Sequence, residues 1–241
     1  MANEGEDALT FTRQVLESCN GFAAVTFFAV FDKANRDNSL DLMRELSRSE
    51  PRLVTVWAPE NRCVVDAYVR GYREALAASC DWILEIDAGF SHRPADIPRF
   101  FDAMDDGLDC VFGSRFMPGA AIHSSWKRRI VSRGGTVLTN LLLGTRQTDM
   151  TSGFELFSRS TLEMVLERGI RSRAHFFQTE IKVHCHNLRF VEVPIVYEMA
   201  SPRLGSQSLK DALTQLWRLF RSRSDIEPLP HSRVSDRSRT R

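Results

Sequence analysis

The sequence predicts an α/β protein with a mostly parallel sheet flanked by helices, and three observations carry that prediction. Short apolar runs alternate with amphipathic stretches through the first two thirds of the chain, the pattern of successive βα units. The 241 residues, 43% of them hydrophobic, are enough to bury a sizeable core and too apolar for a disordered chain. The longest apolar stretch, Gly21 to Phe31, is well short of the ~20 residues of a membrane-spanning helix and reads as a buried strand.

Taken in order, the N-terminal Ala2-Asn3-Glu4-Gly5-Glu6-Asp7 is acidic where a signal peptide would be basic and then apolar, so the expected location is the cytosol. Strands are expected at Ala23 to Phe31, Leu53 to Trp57, Trp82 to Ile86, Cys110 to Phe112 and Arg189 to Val196. Between them, Leu40, Met43 and Leu46 follow an Asn or Ser start and predict a helix over Asn38 to Leu46. Val64, Val65, Tyr68, Tyr72, Ala75 and Leu76 recur at helical spacing and read as a core face. Pro94 sits at a favoured first-turn position, with Ile97, Phe100, Phe101 and Met104 continuing that helix.

After Gly113 a loop rich in Gly, Ala and Ser leads to Trp126-Lys127-Arg128-Arg129, which opens an apolar helix through Leu143. Cations at a helix start oppose the helix dipole, which points to an anionic ligand there. A last helix, Ser208 to Arg221, carries Leu209, Ala212, Leu213, Leu216, Trp217 and Phe220 on one side. It reads as docked on the domain or lying on a membrane surface. Residues 222–241 are Ser, Arg and Pro without periodicity, a tail expected to be disordered.

The charge balance, 32 Lys and Arg against 31 Asp and Glu, argues against a nucleic-acid partner. It averages unlike parts: from Arg221 onward six arginines face three acids, +3, while residues 1–220 hold 26 basic and 28 acidic residues, −2. A basic tail suits an anionic membrane surface. The five cysteines form no CxxC pair and suit reduced, mostly buried thiols. On a strand, His184 and His186 would share a face, which by itself is an ordinary surface feature.

The chemistry concentrates at Asp87, which follows the strand ending at Ile86. Ligands of open parallel sheets bind at carboxyl strand ends, and a carboxylate there can hold a hard divalent cation. Phe31 to Ser39, Glu60-Asn61-Arg62 through Gly71, Asp87 to Pro94, Gly113-Ser114-Arg115-Phe116 with Trp126 to Ser132, Asp149-Met150-Thr151-Ser152-Gly153-Phe154, and Glu192-Val193-Pro194-Ile195 with Arg203-Leu204-Gly205 form an ordered series. Together they resemble the family 2 glycosyltransferases of GT-A fold, in the branch of dolichol- and polyprenol-phosphate mannose synthases. The resemblance covers the chain to about residue 210, implying a catalytic domain over residues 1–210, an amphipathic helix over 208–221 and the tail over 222–241.

The resemblance implies a GDP- or UDP-sugar donor, with Asp32 on the nucleotide and Asp87 at the diphosphate. It implies Mg²⁺ or Mn²⁺ held by Asp87 and Ser91. Arg115, Arg128 and Ser132 would hold the phosphate of a polyprenyl phosphate acceptor. Asp149 would act with Arg115 near the reacting centre, with Glu180 and Arg203 close by. The implied reaction is inverting sugar transfer at the cytosolic face of a membrane. A soluble hydroxyl acceptor, with Asp149 as base, and a catalytically silent sugar-nucleotide binder are the alternatives. Two departures bear on this reading. The usual D-x-D reads Asp87-Ala88-Gly89, which removes one carboxylate and weakens metal binding, and Phe31 likewise stands where the family often has a second Asp. Asn3-Glu4 follows Met1-Ala2 with no strand before it, so the sheet is expected to lack the family's first strand.

Overall fold

A computed structural model describes residues 1–105, 107–198 and 206–222. The elements run α1 (Asp7–Ser18), β1 (Phe27–Phe31), α2 (Ser39–Ser47), β2 (Leu53–Trp57), α3 (Val64–Ala77), β3 (Trp82–Glu85), a 3-10 turn (Pro94–Asp96), α4 (Ile97–Asp102), β4 (Cys110–Ser114), β5 (Ala121–Ile122), α5 (Trp126–Leu143), β6 (Glu155–Ser158), α6 (Arg159–Arg168), α7 (Phe176–His184), β7 (Phe190–Pro194), β8 (Val196–Tyr197) and α8 (Ser206–Arg221). Arg203 and the expected disordered tail, beyond Ser222, lie outside the described residues.

Alternation along the strands sends successive side chains to opposite faces. Ile83, Cys110, Phe112 and Phe157 pack on one face with Val65 and Tyr72 of α3, Leu162 and Val165 of α6, and Phe177 and Ile181 of α7. Val111 and Leu156, with Trp82 and Leu84 partly buried, pack on the other with Phe11 and Val15 of α1 and Ile97 and Phe100 of α4. Each such side chain, once buried, contributes about 1.5–3 kcal/mol.

The larger sheet has the order β3-β6-β4-β7, with β4 and β7 parallel. β6 runs antiparallel to both β3 and β4. β1 pairs only with β2, in parallel, and β5 with β8, also in parallel. Among the described residues no strand lies between β1 and β3, and both border one cavity of about 1700 Å³. The sheet is therefore interrupted next to β1, and the carbonyl of Val30 accepts from the Met1 ammonium instead of from a strand.

Several boundaries moved. The first strand begins at Phe27 rather than Ala23, because the β1–β2 register would set Val25 opposite Pro51, which has no N–H to donate. The helix from Pro94 ends at Asp102, before Met104. α1 is not among the helices expected from the sequence, although Ala8, Phe11, Thr12 and Val15 are buried at helical spacing. β6 is likewise not among the expected strands, because Glu155 interrupts its apolar run. His184 and Cys185 close a helix rather than lie on a strand; His184 is buried, and His186 Nδ1 sits 2.8 Å from the Val183 carbonyl.

Candidate active site

The site forms where three strands end. Asp32 follows β1 directly, Asp87 lies two residues beyond β3, and Arg115 follows β4. Because β6 is antiparallel, its lead-in segment Asp149 to Phe154 arrives at the same edge of the sheet. The cavity wall includes Asp32, Asp87, Ser91, Arg115, Arg128 and Ser132, so the structure brings together these sequence-selected residues.

Asp32 Oδ1 accepts from the Ala34 amide at 2.7 Å, which turns the chain after β1. Asp87 Oδ1 accepts from the Tyr68 hydroxyl, and His92 Nδ1 is 3.6 Å from Asp87 Oδ2. Burial, then the negative charge of Asp87, pushes the Tyr68 hydroxyl well above its ordinary value, so it remains a donor. Tyr68 therefore belongs to the site as well as to the apolar face first assigned to it. Spacing along α3 placed it on the correct side of its helix, but only the contact shows that its hydroxyl reaches Asp87.

Arg115 and Asp149 form a two-pronged ion pair, Nε to Oδ2 at 2.7 Å and Nη2 to Oδ1 at 2.9 Å. Nη2 also donates to Thr151 Oγ1 at 2.5 Å, and the guanidinium lies 5.2 Å from the centre of the Tyr197 ring. Burial alone would raise the Asp149 pKa, but the Arg115 guanidinium overrides it and holds the carboxyl well below the usual carboxylate range. Asp149 is fully buried and does not border the cavity, whereas Arg115 does. On α5, Arg128 and Ser132 lie one turn apart on the same wall, and Arg128 hydrogen-bonds the Tyr197 side chain.

Glu180 is set apart. Its carboxylate accepts from the amides of Arg171 and Ser172 and pairs with Arg218 of α8, so it docks a helix rather than facing the cavity. Beneath the site, Lys182 is within 3.0 Å of Glu155, both fully buried, and donates to the Ser152 carbonyl at 2.5 Å. Glu85 lies opposite Glu155 across the β3–β6 ladder and accepts from Tyr72. Burial, with Glu155 and Asp87 next, pushes the Glu85 carboxyl up. Gly153 leaves room for Gln178, whose amide nitrogen lies 1.5 Å from where a β-carbon would stand. Neither the lysine–glutamate pair nor Tyr68 carries a signature in local spacing, because each contact joins distant segments.

Among the described residues, no group of three or more His, Cys, Asp or Glu side chains could hold a metal ion. Asp87 and Ser91 both border the cavity, and a carboxylate with a hydroxyl is a donor type that suits a hard cation taking its remaining ligands from a diphosphate.

The profile of Glycosyl transferase family 2 matches residues 3–166. Polyprenol monophosphomannose synthase of Mycolicibacterium smegmatis is 28% identical over 191 residues, spanning 76% of this chain and 72% of its own. Undecaprenyl-phosphate mannosyltransferase of Micrococcus luteus is 28% identical over 195 residues, spanning 78% and 80%. Glucosyl-3-phosphoglycerate synthase from Mycobacterium tuberculosis, solved with Mn²⁺, UDP and phosphoglyceric acid, superposes with a TM-score of 0.65 at 15% identity, covering 95% of this chain and 77% of that one. The same enzyme with Mg²⁺ and UDP gives 0.64 at 14% identity, covering 95% and 78%. These likenesses identify the fold as GT-A.

Proposed function

The chain belongs to glycosyl transferase family 2, and from that premise we propose that it moves one sugar, with inversion, from a GDP- or UDP-sugar to a polyprenyl phosphate at a membrane surface. The observation that carries this reading is the setting of Arg128. It lines the cavity from the first turn of α5, and α5 exposes an apolar stripe: Trp126, Ile130, Val137 and Leu141 are 66%, 60%, 60% and 79% exposed. Lys127, Arg129 and Arg133 are exposed on the same helix. An acceptor that is a phosphate on a hydrocarbon chain needs both features side by side. The names of the two relatives, both acting on polyprenyl phosphates, agree with it.

In this mechanism Asp32 orients the nucleotide and Asp87 faces the diphosphate. Asp87 and Ser91 would hold Mg²⁺ or Mn²⁺, which supplies neutralising charge for the diphosphate leaving group. Asp149 fixes the Arg115 guanidinium, so that its charge is held beside the acceptor phosphate without reorganisation. Arg128 and Ser132 grip the same phosphate from α5. A phosphate monoester is mostly ionised at neutral pH and needs no base. Asp149, buried and ion-paired, is a poor proton acceptor, which disfavours a hydroxyl acceptor with Asp149 as base.

Losing one charge-assisted hydrogen bond removes about 1.5–3 kcal/mol. Arg128→Ala is therefore expected to lower transfer to polyprenyl phosphate roughly 10- to 100-fold while nucleotide binding is unchanged. If Arg128→Ala transfers at the wild-type rate and Asp149→Asn abolishes transfer to a hydroxyl, the acceptor is not a lipid phosphate.

A further inference from the structure

Gly89 at φ +78° and Phe90 at φ +60° are consecutive left-handed residues, and they reverse the chain after Asp87. The reversal returns His92 to Asp87, with Nδ1 3.6 Å from Oδ2. The His92 ring is 1% exposed, with its centre 5.2 Å from that of Phe154 and 5.3 Å from that of Tyr197, and it lines the cavity. Neither ring nitrogen has a hydrogen-bond partner among the described residues. A buried imidazole with both nitrogens idle calls for a ligand.

The separation identifies the kind of ligand. At 3.6 Å the contact is too long for a hydrogen bond. Two ligand atoms, each about 2.1 Å from a shared ion, lie about 3.0 Å apart at a right angle and about 4.2 Å apart in line. The observed distance falls between those limits. Asp87 Oδ1 is occupied by Tyr68, which leaves Oδ2, the oxygen that faces His92, for the ion.

We propose that His92 is a ligand of the divalent cation together with Asp87, its imidazole nitrogen replacing the carboxylate that Gly89 lacks. The inference rests on the cleft being a donor-diphosphate site. A ring nitrogen of a neutral imidazole carries the lone pair that such a bond needs. An imidazole in the set shifts preference from Mg²⁺ toward transition ions, so Mn²⁺ is expected to bind more tightly than Mg²⁺.

Pulsed electron paramagnetic resonance of Mn²⁺ bound with UDP or GDP reads the ligand directly. The wild-type protein is expected to show ¹⁴N coupling that becomes ¹⁵N coupling when its histidines are ¹⁵N-labelled. His92→Gln is expected to lose that coupling and weaken Mn²⁺ binding roughly tenfold or more. Coupling that persists in His92→Gln, or bound Mn²⁺ in the wild type without histidine coupling, overturns the proposal; so does failure to bind Mn²⁺. The labelled wild-type spectrum keeps its force even where the variant does not fold. Calorimetry with UDP and GDP separates the two readings. Nucleotides that do not bind overturn the functional reading, whereas nucleotide and Mn²⁺ that bind without nitrogen coupling overturn only the role of His92.

Discussion

Lys182 shows how a single residue supports a site that it does not line. Its ammonium pairs with Glu155 and holds the Ser152 carbonyl, bracing the segment that leads from Asp149 into β6. Burial, opposed by Lys182, raises the Glu155 pKa from 4.5 to about 7. Between those values the folded protein keeps a proton that the unfolded chain releases, so this group's contribution to stability falls as pH rises through the window. Lys182→Met leaves the carboxylate buried and unpaired, at about 3–5 kcal/mol. Urea denaturation is expected to show that loss at pH 8 and a smaller one at pH 5, where Glu155 takes up a proton; equal losses would contradict the coupling. Asp32, Asp87, Arg115 and Asp149 were legible in the sequence because each lies in a local motif. Tyr68 and Lys182 were not, because their roles come from contacts such as Tyr68 with Asp87, 19 residues apart, and His92, although inside the Asp87 to Pro94 motif, is brought back to Asp87 only by the reversal at Gly89 and Phe90.

At the scale of elements, α5 was bounded correctly as Trp126 to Leu143, and its basic start was read as an anion site. What spacing could not show is which side of an apolar helix meets the core. Thr136 and Thr139 are buried, whereas Ile130 and Leu141 face out, an inversion of the usual pattern. Ile130→Asp and Leu141→Asp are each expected to weaken sedimentation with anionic phospholipid vesicles by roughly tenfold, from the lost burial of one large side chain in lipid. Because both sites are exposed, thermal stability should change by no more than about 0.5 kcal/mol. Unchanged vesicle binding would remove α5 from the membrane face. α8 contacts α5 and α7 and carries two further exposed apolar side chains, Leu213 and Trp217. No helix among the described residues is long and apolar enough to cross a membrane.

Across the whole molecule, the βα alternation predicted the layering of helices on both faces of the sheet, and most strand positions held. The mixed order of the larger sheet was not legible, because β6 owes its direction to a lead-in segment that starts at the site edge. Among the described residues β1 and β3 lie in separate sheets, and the cavity that both border also includes Asp32 and Asp87. A mildly acidic body with a basic C-terminal segment, an apolar stripe and an arginine-lined cleft are the features on which the proposed transfer from a soluble donor to a lipid-borne phosphate rests. The most direct test supplies radiolabelled GDP- and UDP-sugars, Mn²⁺, and vesicles with or without polyprenyl phosphate, and counts label extracted into organic solvent. The account predicts label in the organic phase from one donor, only when polyprenyl phosphate is present, and with the anomeric configuration inverted. Label that passes instead to a water-soluble acceptor, with none in the lipid, would contradict it.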